Sequence, residues 1–371
     1  MTSRERLSLT LNGGIPDRVP ISCHELVGYN SRCFYNQEPS YENLMEVVRQ
    51  KTDCLCLWNP ASNVKIACSA FDPHFSTTRH ERTDGYETIK TVQVGNRTLT
   101  SAARVINGIH TTWNTEHICK DTEDVDAIMS LPYEPVTYQS DDLERIRGEV
   151  GDHGLILSSL GDPAYLAMEM MEFGESLVWV MTETEHFETV VKEFHRRNME
   201  NLKRMIQTAP ADIYRIYGPE YMCPPYLPPK YFERFMLPYL TEMVSLIHQY
   251  GRPVRIHSHG KIGQVIDMIV DTGCDAVDPC EEIPDGDTTL GELKQRVGHK
   301  ITLFGSMQLK LLENGTPEQV RRETIRMMRA GKPDGRFVIM PTAGPINTPL
   351  NPKTERNYQV FIDTALEYGV Y

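Results

Sequence analysis

One complete strand–helix–strand repeat lies in residues 253–278, PVRIHSHGKIGQVIDMIVDTGCDAVD. Residues 253–257 and 275–278 are short runs rich in aliphatic side chains, a pattern typical of strands buried on both faces of a parallel sheet. Between them, residues 261–272 carry apolar side chains three and four positions apart, and Gly273 follows where a helix C-cap is expected. The stretch therefore predicts one β/α unit of a parallel α/β fold.

The same repeat recurs along the whole chain of 371 residues. Helix-like stretches separate most of eight runs rich in aliphatic and β-branched residues, which are 19–23, 53–57, 154–159, 212–217, 253–257, 275–278, 300–304 and 336–340. Eight such strand-then-helix units predict an α/β fold of the (β/α)8 TIM-type barrel class.

A long gap from residue 58 to about residue 150 interrupts this rhythm. Within it, residues 86–94, 98–106 and 111–113 look like antiparallel strands, with a turn at Gly95 and Asn96. We therefore expect a β-rich insertion, over about residues 60–150, after the second strand. The insertion is either a small sheet that only packs against the barrel or a lid over its mouth, and the sequence leaves both open.

The chain is acidic, since 38 Lys and Arg residues against 51 Asp and Glu residues give a formal net charge of −13. Such a surface repels phosphate, which argues against general binding of nucleic acid or of an anionic membrane. No apolar run reaches the ~18–20 residues that span a bilayer. The nine cysteines are scattered without a CxxC pair, so we expect reduced thiols and a cytoplasmic location.

Residues 257–260, HSHG, carry the clearest chemical signal. In a parallel barrel the carboxyl ends of the strands form the active-site face, and extended residues at i and i+2 point the same way. The rings of His257 and His259 could therefore converge on a Zn²⁺ ion, with Glu220 as an oxygen ligand and Cys280 as a weaker sulfur candidate. The alternative is a structural or hydrogen-bonding role for both histidines.

Other polar and aromatic residues also follow predicted strands. His24 and Glu25 come after the first run and could act as a general base or as an orienting pair, or one of them could face the core. Tyr217 and Tyr221 could form an aromatic wall against an organic substrate, or could be ordinary packing. Asp162, after the third run, is a further candidate for contact with substrate.

Motifs spread over the chain resemble those of the uroporphyrinogen decarboxylase superfamily. They are residues 4–6 (RER), 16–20 (PDRVP), 230–235 (KYFERF), 237–239 (LPY), 257–260 (HSHG), 271–276 (DTGCDA), 286–287 (GD) and 303–306 (LFGS). The resemblance runs essentially from end to end and implies one barrel domain over residues 1–371. Two chemistries occur in this superfamily, metal-free decarboxylation of porphyrins and zinc-assisted methyl transfer involving a corrinoid.

The resemblance is closer to the methyltransferase branch. The porphyrin decarboxylases hold substrate carboxylates with arginines in a loop after the first strand. In this chain the corresponding residues 23–32 contain a single arginine, Arg32. Glu25 in the same loop would repel a propionate. The methyltransferases carry a His-x-Cys-Gly zinc motif at the fifth strand and a second cysteine after the last. Here His257 matches, His259 replaces the first cysteine and the second is absent.

The resemblance therefore favours a metal-dependent methyltransferase that moves a methyl group between a small methylated substrate and a corrinoid protein. His257, His259 and Glu220 would hold Zn²⁺, and the corrinoid would arrive on a partner because no part of this chain looks like a cobalamin-binding module. One alternative is a lyase acting on a porphyrinogen or a small carboxylic acid, with Arg255 and Arg215 gripping carboxylates. Another is a barrel that binds a tetrapyrrole or small ligand without catalysing a reaction.

Overall fold

The computed structural model describes residues 1–371. The strands are β1 (Cys54–Leu57), β2 (Phe75–Arg82), β3 (Gly85–Val94), β4 (Arg97–Ile106), β5 (Trp113–Glu116), β6 (Gly154–Gly161), β7 (Ile213–Tyr217), β8 (Val254–His257), β9 (Ala276–Asp278), β10 (Thr302–Met307) and β11 (Phe337–Pro341). The α-helices are α1 (Ser3–Leu11), α2 (Phe34–Gln37), α3 (Glu42–Lys51), α4 (Thr122–Met129), α5 (Leu143–Val150), α6 (Pro163–Met168), α7 (Phe173–Thr182), α8 (Thr184–Thr208), α9 (Pro229–Phe235), α10 (Leu237–Gln249), α11 (Ile266–Asp271), α12 (Leu290–Val297), α13 (Leu309–Asn314), α14 (Pro317–Gly331) and α15 (Pro352–Gly369). Short 3₁₀ segments are Pro39–Tyr41, Gly151–His153, Pro219–Met222 and Ile262–Gln264.

Seven of the strands form one parallel sheet in the order β1-β6-β7-β8-β9-β10-β11. Every residue of β8 and of β10 is buried, as expected where helices cover the outer face and side chains fill the inner one. The predicted parallel α/β fold is confirmed. Leu7 and Leu11 of α1 pack with inward-facing residues of the sheet, and Thr302 at the start of β10 donates a hydrogen bond to the Thr10 carbonyl (3.1 Å). Helix α1 therefore lies at the amino ends of the strands.

Residues 19–23, predicted as the first strand, form no regular strand. Ile21 makes an isolated parallel bridge to Ile339 of β11, and on the other side the amide of Asp53, just before β1, donates to the Ile21 carbonyl (2.7 Å). Pro20 interrupts the ladder because it has no N–H to donate. The first predicted strand is therefore a bridging segment, which joins the two edges of the curled sheet, β1 and β11, into a barrel-like closure.

A second, antiparallel sheet has the order β2-β3-β4-β5 and follows β1 in the chain. The strands predicted at 86–94 and 98–106 lie in β3 and β4. The strand predicted at 111–113 overlaps β5 only at residue 113. Strand β2 was not predicted because its side chains are polar and exposed. The sheet is tied to loops after β11 and β6: the His110 amide donates to the Ile346 carbonyl (2.6 Å) and the Cys119 amide to the Met170 carbonyl (2.8 Å). Its role as a lid stays a prediction.

No helix of the chain combines the length and the apolar character that crossing a membrane requires.

The closure depends on a buried ionic cluster centred on Asp53, which has no exposed side-chain surface. Its carboxylate lies 2.6 Å from Arg6 Nη1 and 2.7 Å from Arg18 Nη1, and it accepts a hydrogen bond from the Ile21 amide (2.8 Å). One side chain thus connects α1, the bridging segment and the start of β1.

Replacing this carboxylate, as in Asp53→Asn, should lower the free energy of unfolding by about 3–5 kcal/mol, because the largely buried guanidinium of Arg18 loses its counter-charge and that of Arg6 keeps only Asp17. The matched control is Asp363→Asn, whose surface pair with Lys51 (2.6 Å) should contribute less than about 1 kcal/mol. Urea unfolding measures both values. Equal losses for the two variants would contradict the proposed role of Asp53 in closure.

Candidate active site at the carboxyl ends of the strands

The polar side chains that follow the parallel strands meet at one end of the sheet. His24 follows the bridging segment, His257 ends β8 and Asp278 ends β9. His257 and Asp278 are direct partners in the β8–β9 register, so neighbouring strands present them side by side. This end of a parallel barrel is where active sites are built.

His24, His257 and Asp278 are the one group of three or more metal-capable side chains that the fold brings together, with potential ligand atoms within 4.8 Å of one another. His257 Nδ1 lies 2.8 Å from Asp278 Oδ2, so its N–H can donate to the carboxylate and leave Nε2 free. Both ring nitrogens of His24 are buried and have no hydrogen-bond partner. We refer to these three residues as the histidine–aspartate cluster.

Burial sets the protonation of this cluster. It lowers the pKa of His257 to about 4, despite the opposing effect of Asp278. Burial, aided by the neighbouring His257 and Arg215, also lowers the pKa of His24 well below its ordinary value. Both imidazoles are therefore neutral near pH 7, the form in which a histidine can ligate a metal. Burial would raise the pKa of Asp278, but Arg255 and His257 bring it below the ordinary value.

A small cavity, with about 10 Å³ open to the centre of a water-sized sphere, lies beside the cluster. Its lining consists of Ser22, His24, Glu25, Leu55, Leu57, Leu157, Arg215, Arg255 and Met340. Arg255 Nε is 3.0 Å from Asp278 Oδ1, but the N–H bond is not directed at that oxygen, so the contact is an ion pair without a hydrogen bond. Burial lowers the pKa of Arg255 to about 10, which leaves it charged at neutral pH.

His259, predicted as the second imidazole ligand, is not part of the cluster. Strand β8 ends at His257, so the alternation that would place both rings on one face does not continue to His259. The two ring centroids are 4.8 Å apart with perpendicular planes, and His259 Nδ1 lies 3.4 Å from Glu281 Oε2. Although burial acts to lower it, Glu281 raises the pKa of His259 above its ordinary value. His259 lies at the open side of the site, with 38% of its side chain exposed.

Glu220 and Cys280, the other predicted metal ligands, also lie outside the cluster. Glu220 is in the 3₁₀ segment Pro219–Met222, where its Oε2 is buried without a partner and burial raises its pKa. The Cys280 thiol is directed towards the Val277 carbonyl at 3.6 Å, and burial raises its pKa. A neutral thiol that faces the main chain is a poor metal ligand.

The tyrosines predicted to form an aromatic wall pack against neighbouring rings edge to face. Tyr165 lies 5.2 Å from Tyr217 and 5.0 Å from Tyr221, measured between ring centroids, and the Tyr221 hydroxyl donates to Glu169 Oε1 (2.7 Å). These contacts account for packing by themselves, so a role for Tyr217 and Tyr221 in substrate binding stays a prediction.

Asp162 begins α6, where its Oδ1 accepts a hydrogen bond from the Tyr165 amide (2.8 Å). The second oxygen, Oδ2, is buried without a partner, and burial raises the pKa of Asp162 to about 8. The carboxyl group is therefore largely protonated at neutral pH and acts as a helix cap. Contact with substrate stays a prediction for this residue too.

The sequence analysis placed Asp278 at a strand end without predicting a role for it. It predicted Arg215 only as a residue that could bind a substrate carboxylate. The signal for Asp278 is its position in register with His257, which depends on knowing that β8 and β9 are neighbours. Arg32, the remaining arginine of the loop after the first predicted strand, pairs with Asp142 (2.6 Å) and is 67% exposed. It does not line the cavity.

Comparisons with known proteins agree with the resemblance seen in the sequence. The family model described as uroporphyrinogen decarboxylase (URO-D) matches residues 111–368. Uroporphyrinogen decarboxylase of Psychromonas ingrahamii is 26% identical over 265 residues, which cover 68% of this chain and 70% of the relative. That of Shewanella pealeana is 31% identical over 100 residues, 26% of this chain and 27% of the relative. A solved methyltransferase from Methanosarcina mazei has the same fold, with a TM-score of 0.65, 17% identity and 99% of each chain covered.

The raised pKa of Asp162 makes stability depend on pH in a defined direction. In the unfolded chain its carboxyl ionises near pH 3.8, whereas in the fold it stays protonated up to about pH 8, so this group costs stability progressively as pH rises between those values. Asp162→Asn keeps a helix-capping oxygen and removes the titration. The variant should exceed wild type in free energy of unfolding by up to about 5 kcal/mol at pH 8 and by much less at pH 5. Chemical denaturation at both pH values measures the difference, and a difference independent of pH would contradict the assignment.

Proposed function

The chain belongs to the uroporphyrinogen decarboxylase (URO-D) family, and within it we propose a metal-dependent methyltransferase that moves a methyl group between a small methylated substrate and a separate corrinoid protein. The observation that carries the proposal is the pair of neutral imidazoles, His24 and His257, whose potential ligand atoms lie within 4.8 Å of each other and of the buried Asp278 carboxylate. The fold shared with the Methanosarcina mazei methyltransferase is compatible with this chemistry.

The donors of the histidine–aspartate cluster suit a divalent cation. Imidazole nitrogen and carboxylate oxygen are ordinary ligands of Zn²⁺, and three protein ligands leave a position open for substrate. The buried nitrogens of His24 lack any other partner, which favours a ligand there. Asp278 orients His257 through Oδ2, while its Oδ1 makes no hydrogen bond and remains available to a metal. His24, His257 and Asp278 thus replace the set His257, His259, Glu220 and Cys280 as the proposed metal centre.

The reaction would break the bond between the methyl carbon and an oxygen or nitrogen atom of the substrate. A bound Zn²⁺ would supply Lewis-acid polarisation of that heteroatom, and the corrinoid of the partner would supply the nucleophile. The bonding electron pair stays on the heteroatom, which must then take up a proton. Glu25 lines the cavity beside His24 and can relay this proton from solvent, while Leu57 and Leu157 form apolar walls.

The open side of the site is suited to a second protein. His259 is partly exposed there, and Tyr226, in the loop after β7, is 50% exposed. The cavity beside the cluster is lined by residues that include His24 and Glu25 but neither His259 nor Tyr226. A small substrate would therefore enter first, and the methyl acceptor would approach from the exposed side.

A second candidate function is a lyase that acts on a small carboxylic acid. It is favoured by Arg215 and Arg255, which line the same cavity and could hold a carboxylate. The same cavity could also bind a small ligand in a protein that does not catalyse a reaction.

Metal content tests the proposed centre. Wild-type protein that is reconstituted with ZnSO₄ and then dialysed should retain about one equivalent of zinc by elemental analysis. His24→Ala and His257→Ala should each lose most of it, because each removes a nitrogen donor. His259→Ala should retain it, and so should the matched control His299→Ala, which changes an exposed histidine far from the cluster in sequence. Circular dichroism verifies that every variant is folded.

Either of two results would overturn this centre. One is wild-type protein without zinc after reconstitution. The other is full retention of zinc by both His24→Ala and His257→Ala, because zinc binding would then not depend on either histidine of the cluster.

Methyl transfer can be followed with chemically reduced cobalamin in place of the partner's corrinoid. Methanol, dimethylamine and methoxyacetate are the donors to be offered, and conversion to methylcobalamin is read from the visible spectrum. We expect transfer from at least one donor, reduced at least about 100-fold by His257→Ala and unchanged by His299→Ala. Release of CO₂ from methoxyacetate without any cobalamin-dependent step would instead support the lyase.

A further inference from the structure

A second cavity lies between the antiparallel sheet β2–β5 and helices α6 and α8. About 200 Å³ of it is open to the centre of a water-sized sphere. The sheet contributes Phe75, Lys90 and Ser101 to its lining, α6 contributes Leu166, and α8 contributes Phe194. No member of the histidine–aspartate cluster lines it. We refer to this space as the insertion cleft.

Lys90 is a cation on the face of the sheet that packs against the barrel. Alternate residues of a strand share a face, and Lys90 shares that of Val92, which is fully buried in the main core. Its cross-strand partner is Ser101, which lines the same cleft. On the inner face of a sheet this alternation favours an apolar residue. The lysine is tolerated because the insertion cleft lies in front of it.

The positive charge in the insertion cleft is not fully compensated. Lys90 forms no ion pair, and the acidic group nearest to Lys65 is that of Asp72, 69% exposed and 3.7 Å away, which is longer than a hydrogen bond. Glu169 is the one acidic residue of the lining, and its Oε1 already accepts a hydrogen bond from the Tyr221 hydroxyl (2.7 Å). Two cations therefore face a single carboxylate that is already engaged, which favours an anionic ligand.

The rest of the lining selects the body of that ligand. Most of it is apolar, and Phe75 and Phe194 bring two aromatic rings to it. A cavity of about 150 Å³ lined by aliphatic and aromatic side chains is large enough to bind benzene. The insertion cleft can therefore take a ring of that size, with the partly exposed lysines at its edge.

The insertion cleft also lies where the sheet joins the barrel. His117 Nδ1, just after β5, is 3.0 Å from the carbonyl oxygen of Glu169, and the Cys119 amide donates to the Met170 carbonyl (2.8 Å). Glu169 and Met170 both line the cleft. A ligand there is held by residues of both parts and should stabilise the contact between them.

We propose that the insertion cleft binds a small organic carboxylate whose apolar body is about the size of an aromatic ring. The ring would lie among Phe75, Leu166 and Phe194, and the carboxylate would face Lys65 and Lys90. This site involves neither the histidine–aspartate cluster nor methyl transfer, so it goes beyond the proposed function and does not depend on it.

Benzoate is the probe for this site. Isothermal titration at pH 7.5 and constant ionic strength should show one saturable site with a Kd below about 1 mM. Benzamide has the same shape without the charge and should bind at least about threefold more weakly. Acetate has the charge without the ring and should not saturate below about 10 mM, because it buries little apolar surface.

Two substitutions separate the charge from the space. Lys90→Met keeps the length of the side chain and should weaken benzoate about threefold or more while leaving benzamide unchanged. Ser101→Phe fills the cleft and should abolish binding of both, together with the rise in Tm that benzoate gives wild type. The matched control Lys300→Gln alters an exposed lysine before β10 and should change neither affinity. Circular dichroism verifies that each variant is folded.

The proposed site is wrong if benzoate does not saturate wild-type protein, or if benzamide binds as tightly as benzoate. Unchanged benzoate binding by folded Ser101→Phe protein would place the ligand elsewhere and overturn the assignment. Equal weakening of benzoate and benzamide by Lys90→Met would contradict the role of the charge. Zinc retention and methyl transfer enter none of these measurements, so failure of the proposed function leaves the outcome unaffected.

Discussion

The carboxylate of Asp278 is fully buried at the end of β9, where one oxygen accepts from His257 Nδ1 at 2.8 Å and the other faces Arg255 Nε at 3.0 Å. A buried charge persists only when its surroundings compensate it. Here the compensation comes from two residues of the neighbouring strand. That arrangement fixes the orientation of His257, whose ring centroid lies 6.1 Å from that of His24. The chemistry proposed for the chain depends on this contact.

Asp278 also divides the site into two regions of different character. On one side lie neutral imidazoles, which suit a cation because burial keeps them unprotonated. On the other lie Arg215 and Arg255, which suit an anion and line a small cavity. The family relationship identifies the scaffold, and these side chains decide what it binds.

The sequence predicts the parallel sheet well, because continuous aliphatic runs such as β8 and β10 are characteristic of strands buried on both faces. It fails at residues 19–23, where the same composition surrounds Pro20 and the ladder is reduced to a bridge. For the site, the strand-end rule located His24, His257 and Asp278. It could not identify Asp278 as the partner of His257, because that pairing arises from the β8–β9 register, nor foresee that β8 stops before His259.

X-ray absorption spectroscopy at the zinc edge of the reconstituted protein tests the central claim most directly. The account predicts a first shell of nitrogen and oxygen only, with Zn–N distances of about 2.0–2.1 Å and a scattering pattern from two imidazole rings. In the His24→Ala and His257→Ala proteins any residual zinc should show fewer imidazoles. A sulfur shell near 2.3 Å, or a spectrum that both substitutions leave unchanged, would contradict it.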